Sequence, residues 1–194
     1  QQINLLELFC YVDDFCKEFE SAWYRTLIGK KTFQCRLSMS EVLTILILFQ
    51  FSGLKCFKYF YLSLVRDYKA DFPQLLSYSR FIEVERHFLV PLVLFMKFHF
   101  SDYSDISYVD STPLKICHNK RIYSNKVFKN LAKRGKSTMG WFYGFKLHIA
   151  TNERGELLSV QTTKGNVDVR KVVPTLCKDI KGRLLGDKGY ISQK

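Results

Sequence analysis

Apolar residues recur at helical spacing through the first hundred positions. Leu5, Leu6, Leu8, Phe9, Val12, Phe15, Cys16 and Phe19 share one face of an amphipathic helix. Ser38-Met-Ser-Glu41 has the form of a capping box ahead of Val42–Gln50, and Gly53 supplies the stop. Cys56–Tyr68 reads as a third helix, ended near Pro73. Ser79–Phe100 reads as a fourth, kinked or divided by Pro91. Together these predict a small helical bundle.

The pattern changes after a polar connector, Ser101-Asp-Tyr-Ser-Asp105. Ile106, Tyr108 and Val109 favour an extended, half-buried backbone. Pro113 forbids a helix through this stretch, so the strand is expected to open into a loop at Asp110. Residues 118–140 have loop character, with room for a short helix around Val127–Lys133. Phe145, Leu147 and Ile149 alternate with Lys146, His148 and Ala150, the period of a strand. Asn152-Glu-Arg-Gly155 turns the chain, and Glu156–Thr162 returns as the second strand of an antiparallel hairpin. After the turn Gly165-Asn-Val-Asp168, Asp168 can cap a helix from Val169 to about Asp179, with Pro174 early in it. Gly182 ends that helix, and Arg183–Gly186 form a last strand before Asp187. The expected class is mixed α/β. A helical region spans residues 1–104, and a domain with a mixed sheet spans residues 105–194.

Charge sharpens this division. The chain of 194 residues holds 30 Lys+Arg against 18 Asp+Glu, a net charge of +12. Residues 101–194 hold 18 of those basic side chains and only 8 of the acidic ones, so nearly all the excess lies in the sheet half. Such a balance favours polyanionic partners. The six cysteines form no C-x-x-C pair and sit mostly in apolar surroundings, which suits a reducing cytoplasm and offers no structural zinc. The longest apolar run, Val42–Phe51, is shorter than the roughly 20 residues that span a bilayer.

Asp110 and Asp187 are the candidate catalytic and metal-binding residues. Each follows apolar, strand-like residues, and although 77 positions separate them, adjacent strands could bring them to one metal. Phosphodiester cleavage and strand transfer need an activated nucleophile and a stabilised leaving oxygen. Two magnesium ions about 3.5–4 Å apart can supply both. Read as turn formers, the same acids would carry no chemistry. The surrounding charge argues for the functional reading. From Ser111 to Asn152 there is no acid, and the window carries Lys115, Lys120, Arg121, Lys126, Lys129, Lys133, Arg134, Lys136 and Lys146. With Lys188, these are the candidate DNA-binding residues, and Tyr123, Phe128, Trp141, Phe142 and Tyr143 are interleaved among them. His118 and His148 read as polar contacts or strand residues, since no His/Cys spacing fits zinc.

Tyr108-Val-Asp-Ser-Thr-Pro113, Cys117-His-Asn-Lys-Arg121, Ala132-Lys-Arg-Gly-Lys136, Gly140-Trp-Phe-Tyr-Gly-Phe-Lys-Leu-His148, Gly165-Asn-Val-Asp168 and Gly186-Asp-Lys-Gly-Tyr190 resemble bacterial insertion-sequence transposases of the DDE type, family 982 above all. The resemblance implies a ribonuclease-H-like catalytic domain behind a helical region. It also implies magnesium- or manganese-dependent cutting and strand transfer on double-stranded DNA, at transposon ends and targets. A homo-oligomer associated with the nucleoid, and no membrane partner, are implied too. Asp110 matches the first catalytic acid and Asp187 the second. The third, a glutamate on a later helix, is expected beyond residue 194, so the chain is expected to be a partial copy with DNA affinity and little transposition activity. A non-catalytic DNA-binding protein and a stand-alone nuclease of the same fold are the alternatives.

Overall fold

The computed structural model describes residues 4–26, 35–103 and 105–190. It is mixed α/β and divides into two compact units, Gln1–Phe98 and His99–Lys194.

The first unit is helical. Its described helices are α1 (Leu5–Thr26), α2 (Met39–Phe51), α3 (Phe57–Asp67), α4 (Tyr78–Glu85) and α5 (Leu89–Phe98). The capping box at α2 is present: the Ser38 hydroxyl accepts from the Glu41 N–H at 3.1 Å, and the Ser38 N–H donates to the Glu41 carboxylate at 2.7 Å. Helix α2 is the centre of the unit. Its Leu43 packs with Val12 and Cys16 of α1, and its Val42 and Ile45 pack with Phe60, Tyr61 and Leu64 of α3 and Phe81 of α4. Tyr61 is fully buried, and its hydroxyl donates to the Leu76 carbonyl at 2.8 Å, which removes the penalty of an unpaired polar atom in that core. The expected fourth helix is divided, though not at Pro91. A 3-10 turn at Arg86–Phe88 separates α4 from α5, and Pro91 falls in the first turn of α5, where a missing N–H interrupts no helical bond. No described helix is long and apolar enough to cross a membrane.

The second unit is a five-stranded sheet with one short helix: β1 (Ile106–Cys117), β2 (Lys133–Ser137), β3 (Gly140–Asn152), β4 (Leu157–Lys164), α6 (Val173–Leu176) and β5 (Arg183–Gly186). Strand β3 is the hub. β1 runs antiparallel along one edge, while β2 and β4 share the other, against residues 140–144 and 145–151 respectively. β5 pairs with the outer side of β1 and is parallel to it. Val109, Ala150 and Leu158 from the sheet pack against Val172 and Leu176, giving the unit its core.

Three sequence expectations are corrected. β1 does not open into a loop at Asp110 but runs through Pro113 to Cys117. β5 pairs only with Ile106–Val109, so Pro113 lies in a stretch partnered on one side, and a strand with an open edge tolerates proline. The helix considered at Val127–Lys133 is absent: this segment is turns, and the stretch read as loop ends in β2. The helix expected over Val169–Asp179 is a 3-10 turn, Val169–Lys171, followed by the four residues of α6. Its predicted cap holds, with the Asp168 carboxylate accepting from the Arg170 N–H at 3.0 Å. The alternation in β3 is present: His148 and Ala150 are fully enclosed, whereas Phe145, Leu147 and Ile149 are half-buried.

Candidate active site

The parallel pairing of β1 with β5 ends at Val109 opposite Gly186. The next residue after each of these is an aspartate, in β1 at Asp110 and just past the end of β5 at Asp187, so the two acids stand one step beyond the same rung. Neighbouring strands lie about 4.8 Å apart, and the two acids are neighbours for that reason. Gly186 makes this approach possible. A Cβ there would come within 2.9 Å of the Val109 Cγ1 and 3.4 Å of the Tyr190 ring. Beyond Asp187 the chain turns through a 3-10 segment, Lys188–Tyr190, which folds Tyr190 back against the core around Val109.

Both carboxylates are exposed and held locally. Asp110 Oδ1 accepts from the Ser111 N–H at 2.7 Å, and Asp187 Oδ1 accepts from the Lys188 N–H at 2.6 Å. Among the described residues neither forms an ion pair, which leaves an Oδ2 on each for a ligand. The two acids line one cavity of about 620 Å³ with Ser111, Pro113, Lys136, Lys146, Val169 and Tyr190, and with the β2–β3 turn. Lys146 is tied down by a 2.9 Å hydrogen bond from its Nζ to the Val167 carbonyl.

This arrangement of two strand-borne acids and two lysines around one opening is where comparison with known proteins becomes informative. Residues 100–194 match the family model of the transposase DDE domain. That match supports a DDE transposase. No curated protein matches the chain, and no solved structure does.

Within the DDE region the predicted basic residues separate into groups. Lys136 and Lys146 reach the carboxylate cavity. Lys188 follows Asp187 directly and donates its backbone N–H to it. Lys120, Arg121, Lys126 and Lys129 are exposed on the turns after β1, Lys115 near the end of that strand, and Lys133 on β2; none of them lines the cavity. Arg134 lies over the Trp141 ring, 5.0 Å from its centroid. The turns that carry these charges are anchored. The Asn119 side chain donates to the Trp141 carbonyl at 2.8 Å, the Tyr143 hydroxyl donates to the Phe128 carbonyl at 3.2 Å, and the Phe128 ring meets Phe145 edge-on.

The histidines of the DDE region serve the scaffold. His118 accepts from the Lys120 N–H through Nδ1 and starts a 3-10 turn. His148 is fully buried, with Nε2 2.8 Å from the Thr163 hydroxyl. Burial, assisted by the charge of Lys146, holds its imidazole below the ordinary value, which favours the neutral ring. No group of three or more His, Cys, Asp or Glu residues suited to a metal occurs among the described residues.

Tyr190 and the β2–β3 turn also line this cavity, and the residue pattern alone does not mark them as parts of it. Burial raises the Tyr190 phenol; the Ser111 side chain pulls the other way, and the charges of Asp110 and Asp187 raise it further. Its oxygen is buried and has no hydrogen-bond partner among the described residues. The two-residue gap between Ser137 and Gly140 was the available signal for the turn.

Proposed function

We propose that this chain carries the first two catalytic acids, Asp110 and Asp187, of the transposase of a bacterial insertion sequence of the family 982 type, where divalent metal would serve the cutting and transfer of DNA strands once the third acid is supplied. The observation that carries this reading is the placement of those acids one residue past the Val109–Gly186 rung, on a cavity that also receives Lys136 and Lys146. The strand directions support a ribonuclease-H-like domain, with antiparallel β1, β3 and β4 and a fifth strand added parallel to β1.

Hard divalent cations take oxygen ligands, and magnesium commonly uses one or two carboxylates with water and phosphate completing its shell. Two exposed aspartates, each with an oxygen uncommitted, fit that requirement; among the described residues no zinc-type set of His and Cys occurs beside them. Magnesium or manganese held there supplies activation of the attacking oxygen and charge stabilisation on the phosphate. The protein's own share is positional. Backbone N–H groups orient both carboxylates, Lys136 and Lys146 offset phosphate charge beside them, and Tyr190 walls the cavity toward the core. The cationic turns before β2 track the duplex backbone.

Binding should therefore depend steeply on salt. Lys136→Ala should weaken binding to any duplex sequence and lower the slope of log K against log salt by about 1. Lys17→Ala, on a helix of the first unit, should leave the slope unchanged. Fluorescence anisotropy over a salt series measures both. An unchanged slope in Lys136→Ala would remove DNA from the cavity.

A further inference from the structure

The cavity that holds both aspartates has one wall that the chemistry above does not require. Lys136, Ser137, Thr138 and Met139, the end of β2 and its turn into β3, line it. Met139 is 83% exposed. A single exposed apolar side chain is ordinary on a protein surface. Its position is what sets Met139 apart, at the tip of a stiff hairpin and on the rim of the carboxylate site.

The stiffness has identifiable causes. Ser137 pairs with Gly140, leaving only Thr138 and Met139 between them, and the Ser137 hydroxyl donates to the Gly140 carbonyl at 3.2 Å. Gly140 has φ +100, a conformation that closes the turn without strain for glycine alone. At the base of the hairpin Gly135 lies against the Gly165 backbone, and Arg134 covers one side of Trp141. Lys136 and Lys146 stand on the same cavity, so a backbone gripped by them would run past Met139.

We propose that the Thr138–Met139 turn is a wedge that unstacks the base step next to the phosphate held at Asp110 and Asp187. The ligand it selects is a duplex end opened by one step rather than an intact duplex. Methionine suits the task, since it is apolar, unbranched and adaptable, and apolar side chains inserted between base steps unstack them. This rests on the DNA-cleaving reading of the same site.

The test uses the full chain carrying Asp110→Asn, so that DNA is bound and not cut. The probe is a linear duplex with 2-aminopurine placed in turn at each base step near one end, read at saturating protein. The parent should brighten the probe at one step. Met139→Ala should lose that rise while still binding, and Met139→Leu should restore it. With Asp110 intact and the third acid supplied, Met139→Ala should slow cleavage of fully paired ends by roughly 10- to 100-fold and spare ends that already carry a mismatch. Brightening by Met139→Ala equal to the parent's would overturn the wedge. Binding without brightening by the parent would also overturn it and leave the DNA reading intact. Failure of the parent to bind any duplex would overturn both.

Discussion

With the third acid of the site also in place, Asp110→Asn should reduce magnesium-dependent strand cleavage on the order of 10³-fold, the scale expected when a metal ligand that stabilises several kcal/mol of transition-state charge is lost. The fold should not notice. Asparagine keeps an oxygen for the 2.7 Å hydrogen bond from the Ser111 N–H, and the side chain is exposed. DNA affinity without metal should stay level or rise, because a negative charge leaves the path of the phosphates. Asp187→Asn should behave alike, its Lys188 N–H contact being preserved in the same way. The double variant should be little worse than either single one, since both acids serve one site. Plasmid nicking with magnesium, alongside anisotropy for binding, separates these effects. Cleavage by Asp110→Asn within tenfold of the parent's, roughly 1.4 kcal/mol of barrier, would place the chemistry elsewhere.

The second large effect concerns the scaffold. Gly144 sits where three strands meet: it faces Lys115 of β1 and Lys133 of β2, and its carbonyl accepts from the Gly165 N–H at 3.0 Å after β4. A Cβ at this position would lie 1.9 Å from the Leu114 carbonyl oxygen. Backbone is the obstacle, so no rotamer change relieves it. Gly144→Ala should therefore cost about 3–4 kcal/mol of unfolding free energy, enough to unfold a marginal domain. Gly189→Ala is the control, because nothing lies within 4 Å of the added carbon. It should change stability by less than about 0.5 kcal/mol. Urea denaturation of both variants gives the comparison, and a cost below about 1 kcal/mol for Gly144→Ala would mean that β1 and β3 are not joined in this register.

How much of this could be read from residues alone varies with how local the cause is. The α2 start was legible because Ser38 and Glu41 satisfy each other's backbone groups within one turn. The Asp168 cap was legible for the same reason. The full length of β1 is not legible from its residues, because Pro113 by itself does not show which side of the strand has a partner. β2 was missed because Lys133-Arg-Gly-Lys-Ser137 has no apolar alternation; its conformation is imposed by pairing with β3. In the site, the form of each acid was readable, an apolar run ending in aspartate. That they stand together just past one rung follows from the parallel register of β5 on β1, a long-range fact. The hairpin wall of the cavity depends on the same kind of information, so nothing in the residues alone marks Met139.

Iron(II) bound in place of magnesium offers the most direct test of the paired-acid claim. With ascorbate and peroxide it releases hydroxyl radicals that cut the polypeptide beside the bound ion. The fragments should map to cuts near Asp110 and near Asp187 together, fade with excess magnesium, and disappear in the Asp110→Asn, Asp187→Asn double variant. Cuts near only one of the two acids, or cuts indifferent to magnesium, would contradict a shared metal site.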